Sequence, residues 1–225
     1  MNSCESLYSE LFGDDDDKEE EDENDDLKFL DPIYEAEPPV IPGLRIYRNL
    51  LSADLSTQYF SWLTHAYFHT PGSTTNQGLH FGTFDKATPL GRLSTISQTL
   101  ITPSMDFLFD QAIVNLYERG EGIGDHVDLQ RFDSCVVGFS FGATAVMRLR
   151  PVRDRQTAAT AYARELDFAD PAEIQVVLRA GDVYILEGEA RYGWTHGIPK
   201  TVGGGKVNIE SRRISVTLRK LVKTD

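Results

Sequence analysis

From Gln111 onward the chain is cut into short apolar runs, "AIVNLY", "CVVGFSF", "ATAVMRL", "IQVVL", "DVYIL" and "RRISVTLRKL", with Gly, Asp or Pro between them. Runs of this length bounded by turn residues read as β-strands. No helical pattern of about 10 to 15 residues recurs between them, as a βαβ architecture would require. The pattern therefore predicts an antiparallel double sheet, a sandwich or jelly roll.

The region before those runs has a different period. In "SADLSTQYFSWLTHAYF", Leu55, Tyr59, Leu63 and Tyr67 fall four apart on one face and Ser52 stands ready as an N-cap, which predicts an amphipathic helix. A second helix is expected in "LSTISQTLITPSMDFLF" from Leu93, ended or kinked by Pro103. The expected class is α+β, with N-terminal helices supporting a double-stranded β-helix (jelly roll). The stretch from Pro151 to Pro171 reads as an insertion with a short helix, and no internal repeat announces a solenoid.

Charge divides the chain. Residues 1–40 hold 16 acidic and 2 basic side chains, a net −14, and the whole chain is −13, so residues 41–225 stand at +1. A like-charge block such as "GDDDDKEEEDENDDLK" has little to bury, and the prolines of "EPPVIPGL" disfavour helix. The expected organisation is an acidic disordered tail and linker over 1–41 and one folded domain over 42–225. Two cysteines, Cys4 and Cys135, with the first in the tail, argue against a disulfide framework. Neither a leader-like N-terminus nor an apolar run of about 18 residues occurs, so nucleus or cytoplasm is the expected location and no membrane partner is expected.

"NLYERGEGIGDHVD", Asn115 to Asp128, holds the first chemical signal. Its glycines match neither G-x-G-x-x-G nor a Walker sequence, which sets a phosphate loop aside. His126 and Asp128 lie two apart, and in extended chain both leave the same face. A metal held this way needs a third ligand from elsewhere. His65 and His69, four apart in the first predicted helix, lack the Glu of an H-E-x-x-H site; His196, in "YGWTHGIP" after the strand "DVYIL", is the stronger candidate. Two His and one carboxylate on one side of an ion match the facial triad of non-haem Fe(II) oxygenases. In "RRISVTLR", Arg213, Ser215, Thr217 and Arg219 alternate with Ile214, Val216 and Leu218. That is either a solvent-facing strand or a clamp for an acidic co-substrate, since guanidinium pairs with a carboxylate through two parallel hydrogen bonds.

These three stretches, in this order, resemble the AlkB-like branch of the Fe(II)- and 2-oxoglutarate-dependent dioxygenases over roughly Pro42 to Leu221. The resemblance implies an oxidoreductase with Fe(II) as cofactor and 2-oxoglutarate and O2 as co-substrates. It assigns His126, Asp128 and His196 to the metal, and Arg213, helped by Tyr117, to the distal carboxylate of 2-oxoglutarate. Asn115 and Ser215 fall around the co-substrate, and Arg219 falls nearer the iron. Ser215 stands where some members have Asn.

The family oxidises modified bases in nucleic acid and, in a few cases, proteins, by demethylation or hydroxylation. "HFG" at His80 to Gly82 and "GEARYGWTHGIP" are most similar to the tRNA-modifying branch. Modified RNA or DNA is the expected partner of a monomeric enzyme. A basic protein such as a histone is the alternative, drawn by the acidic tail, and a noncatalytic scaffold is the third reading, against which the complete ligand set speaks. Arg148, Arg150, Arg153 and Arg155 are candidates to track a nucleic-acid backbone, and Phe81, Phe84 and Trp194 to sandwich a base.

Overall fold

A computed structural model of the chain describes residues 41–68, 76–101, 109–152 and 173–222. The N-terminal acidic segment, His69, and the 151–171 insertion beyond Val152, with Arg153 and Arg155, lie outside them.

Two antiparallel sheets form the body. The larger has six strands, β1 (Leu44–Tyr47), β2 (Gln77–Phe81), β3 (Gln111–Tyr117), β5 (Cys135–Gly142), β8 (Val183–Glu187) and β12 (Arg213–Arg219), in the order β1-β8-β5-β12-β3-β2. The smaller has four, β4 (Ile123–His126), β6 (Ala145–Pro151), β7 (Ile174–Leu178) and β9 (Trp194–Ile198), in the order β4-β9-β6-β7. A two-stranded ribbon pairs β10 (Thr201–Val202) with β11 (Lys206–Val207). The jelly roll expected from the sequence is present. Because β1 and β2 precede and interrupt the helices, the expected order of helices followed by strands from Gln111 onward is corrected: both are four- or five-residue strands that give periodicity too little length to register.

Helix α1 (Ala53–Phe68) starts where Ser52 Oγ accepts from the Leu55 N–H at 3.2 Å, and it buries Leu55, Tyr59 and Leu63. Helix α2 runs over Pro89–Leu100, four residues earlier than its apolar periodicity indicated. Its start is set by Thr88, whose side chain accepts from the Gly91 N–H, and by Pro89, whose missing N–H costs nothing in the first turn. A third short helix, α3 (Gly188–Tyr192), follows β8.

Alternation along the strands sends side chains into two cores. Leu55, Tyr59, Leu63, Leu93 and Ile96 from the helices share one cluster with Val137, Phe139, Phe141, Val183, Ile185, Ile214, Val216 and Leu218. On the other face, Val136 and Leu186 join Met147, Leu149, Val176, Leu178 and Ile198 of the smaller sheet. The large sheet thus has an apolar face under the helices and a mixed face toward the smaller sheet, and the second face holds the site.

Candidate active site

Register brings the predicted residues together. On β12 the residues alternating with the apolar core face the second sheet, and their neighbours across β3 are Tyr117 opposite Arg213, Asn115 opposite Ser215, and Gln111 opposite Arg219. In the smaller sheet His126 pairs directly with His196 across β4 and β9, with ring centroids 4.4 Å apart. Asp128 follows two residues after His126. One ligand atom from each of His126, Asp128 and His196 lies within 4.8 Å of the others, and no other such group of three occurs among the described residues. His65 sits in α1, apart from this group.

The donor set fits a metal ion. His126 Nδ1 lies 2.9 Å from the Gly124 carbonyl, which can only accept, so Nδ1 carries a proton there and Nε2 is the ring nitrogen left to meet an ion. Burial, reinforced by the His126 ring, pushes the His196 imidazole down to about 3, leaving it neutral at neutral pH. Burial alone would raise the Asp128 carboxyl, but Arg219 and the two imidazoles outweigh it and hold it at about 2. A neutral imidazole and a carboxylate are ligand states a divalent cation requires. Arg219 Nη2 donates to Asp128 Oδ1 at 2.6 Å, whereas Asp128 Oδ2 is buried with no hydrogen-bond partner among the described residues.

The same structure fits an acidic co-substrate. Arg213 is 1% exposed, donates from Nε to Ser140 Oγ at 3.2 Å and lies over the Tyr117 ring at 5.3 Å. Its Nη1 and the Nε and Nη1 of Arg219 are buried without hydrogen-bond partners among the described residues. Both arginines line one cavity of about 560 Å³, together with the three candidate ligands, Tyr117, Asn115 and Ser215. Buried guanidinium donors facing an open volume await an acceptor from outside the chain. The strand carrying them is wholly buried, so the solvent-facing alternative for "RRISVTLR" is overturned.

Three residues that sequence reasoning missed support or line this cavity. Ser140 holds Arg213, Tyr184 lies in the cavity wall, and Arg191 ties down the loop after His126. Arg191, 1% exposed on α3, donates to the carbonyls of Asp128 at 2.8 Å, Leu129 at 2.9 Å and Phe132 at 3.2 Å. A guanidinium's fork of donors suits such a cluster of carbonyls. A second fastening holds β4: Asp125 takes two bonds from Arg148, at 2.8 and 3.2 Å. A Cβ at Gly197 would meet the Asp125 carboxylate, so the glycine after His196 makes that pair possible.

Other expectations are corrected. Arg148 and Arg150 both face Asp125, Arg150 at 3.8 Å, instead of presenting a free basic track. Phe84 stacks on His80 and packs toward the helical core, and Trp194 packs on the inter-sheet core. Phe81 alone of the three aromatics lines the cavity.

Comparison with known proteins agrees with this geometry. The family model described as "2OG-Fe(II) oxygenase superfamily" matches residues 52–219. The chain is 29% identical over 136 residues to an uncharacterized protein, L905, of Acanthamoeba polyphaga mimivirus, covering 57% of this chain and 56% of that one. It is 31% identical over 122 residues to the alkylated DNA repair protein ALKBH8 homolog of Arabidopsis thaliana, covering 50% of this chain and 34% of the relative. The chain thus spans about half of the first relative and a third of the second. The solved structure of OsALKBH1 superposes with a TM-score of 0.53 at 17% identity over 81% of this chain and 100% of that one, a likeness of fold.

Proposed function

This chain belongs to the 2OG-Fe(II) oxygenase superfamily, and we propose that it oxidises a modified base of nucleic acid, in tRNA or alkylated DNA or RNA, by demethylation or hydroxylation. Its cofactor is Fe(II), and 2-oxoglutarate and O2 are its co-substrates. We assign His126, Asp128 and His196 to the metal, Arg213 with Tyr117 to the distal carboxylate of 2-oxoglutarate, Asn115 and Ser215 to its flanks, and Arg219 to its metal-proximal end. Bound there, iron with its co-substrates supplies oxidation of a C–H bond, 2-oxoglutarate leaving as succinate and carbon dioxide.

The chain's own residues prepare that chemistry. Arg219 engages Asp128 Oδ1 and so directs Oδ2 away from itself, while the Gly124 carbonyl fixes the His126 tautomer. Arg191 and the Asp125–Arg148 pair hold the two ends of the segment carrying His126 and Asp128. Val127, Met147, Leu178 and Ile198 supply apolar wall that limits water around the reacting centre.

One observation carries the substrate reading. Six large apolar side chains are exposed among the described residues, and four of them, Leu79, Phe81, Ile123 and Leu129, line this cavity. Exposed apolar surface gathered at a cavity marks a binding face, and an unstacked base offers the flat apolar surface such a rim covers. Arg131 is also in the lining, and among the described residues Asp128 is its sole carboxylate, which disfavours a basic peptide at the entrance. The name of the Arabidopsis relative, which refers to repair of alkylated DNA, supports the same reading. A basic protein such as a histone is a second reading, favoured by the 16 acidic residues of the first 40.

Succinate release should rise above the uncoupled background with total tRNA or methylated oligonucleotides and not with histones. Phe81→Ala should raise the KM for that nucleic acid about 5- to 50-fold, as loss of a stacking platform does, with the KM for 2-oxoglutarate unchanged. Stimulation by histones alone would replace the base reading with the protein one.

A further inference from the structure

The sheet register lays the cavity floor out in rows that run across the strands. In one row Arg213 lies between Tyr117 and Gly142; in the next, Ser215 lies between Asn115 and Ser140. In the third, Thr217 lies between Ile113 and Gly138, and Tyr184 of β8 follows beyond Gly138. Tyr184 therefore occupies a row between the one that holds Arg213 and the one that holds Arg219.

Tyr184 does not stand upright from its strand. A Cβ added to Gly138 would collide with its ring and its hydroxyl, so the phenol lies flat across β5, toward β12, in space that only glycine leaves open. The side chain is 6% exposed and lines the cavity. Burial pushes its hydroxyl up from the usual tyrosine range, with Arg213 the largest opposing influence, so it stays a neutral donor.

We propose that Tyr184, seated on Gly138, is the specificity-determining residue for the 2-oxo acid. Its ring fills the flank between the two arginine rows and sets the width available to the acid's carbon chain, and its hydroxyl adds a donor to the same cavity wall. The inference rests on the assignment of Arg213 and Arg219 to the co-substrate and goes beyond it, since two guanidiniums grip two carboxylates whatever chain joins them. An unsubstituted two-methylene chain passes beside a flat ring; a substituent on that chain meets it.

The test is equilibrium binding to the full chain loaded with Mn(II), which needs no turnover. Dissociation constants are measured by calorimetry for 2-oxoglutarate and for its 3-methyl and 4-methyl derivatives. Wild type should favour the unsubstituted acid by about tenfold or more, the discrimination one methyl group supports in a closed pocket. Tyr184→Leu should lower that ratio at least about fivefold, whereas Tyr184→Phe should weaken all three acids about equally, two- to tenfold, and keep the ratio. Gly138→Ala, which displaces the ring by a different route, should also change the ratio, so a Tyr184→Leu chain that does not fold leaves the proposal open to refutation. Binding that depends on Arg213 with a wild-type ratio in both Tyr184→Leu and Gly138→Ala would overturn the role of Tyr184 alone. Binding unaffected by Arg213→Ala would overturn the co-substrate assignment and this inference with it.

Discussion

The two faces of β12 are equally buried and chemically opposite. Ile214, Val216 and Leu218 are fully buried against the helical core; Arg213, Ser215, Thr217 and Arg219 are 1%, 5%, 5% and 6% exposed. The first face is complete, because dispersion and exclusion of water need no further partner. The second is not: three guanidinium nitrogens on it, and the Asp128 oxygen opposite, lack hydrogen bonds among the described residues. Each unsatisfied buried polar group costs about 1–3 kcal/mol, and more where it is charged. Burial thus identifies core on one face and a binding site on the other, and the discriminating property is whether the polar groups are satisfied.

The comparison is broken most strongly from the apolar side. Leu218→Ala should cost about 2–5 kcal/mol of stability, the range for a leucine truncated in a packed core, read by denaturant unfolding, with the KM for 2-oxoglutarate unchanged in the folded fraction. Arg213→Ala should do the reverse. Loss of a charged hydrogen-bonding partner is worth about 1.5–3 kcal/mol, so the KM for 2-oxoglutarate should rise about 10- to 150-fold while unfolding stability stays near wild type.

Arg191→Lys tests a residue between these extremes. It keeps the charge but not the fork that reaches three carbonyls, and metal affinity should fall about tenfold, as it does when the support of a ligand is weakened. A separate effect is on pH dependence. His196 in the metal-free protein resists protonation down to about 3, against 6.5 for its ordinary value. Between those values the unfolded chain binds the extra proton, so stability is full above 6.5 and falls as pH is lowered, by at most about 1.4 kcal/mol per pH unit. A pH series of metal-free unfolding should show that slope, and His196→Gln should lack this contribution.

What the sequence made legible follows from where each signal lies along the chain. The alternation of β12, the His126–Asp128 spacing and the Ser52 cap are local, and each is found where local rules put it. Thr88 and Pro89 were equally local, yet apolar periodicity outweighed them and displaced the start of α2. Ser140, Tyr184 and Arg191 belong to another class. Ser140 acts on a residue 73 positions away and Arg191 on one 63 away, through a register no window of sequence displays. Phe81 was open to reading as an aromatic, but Leu79 escaped because β2 is five residues with a glycine in it, and its exposed side chain acquires meaning from the cavity beside it.

Three donors from the smaller sheet and the arginine row of the larger one are assigned to a single Fe(II)–2-oxoglutarate centre. Anaerobic titration of the full chain with Fe(II) and then 2-oxoglutarate, followed by visible metal-to-ligand charge-transfer absorption, tests it most directly. Wild type should develop the band with saturation in both components, His126→Ala should show none, and Arg213→Ala should need at least about tenfold more 2-oxoglutarate. A band of wild-type intensity and affinity in His126→Ala would contradict the account.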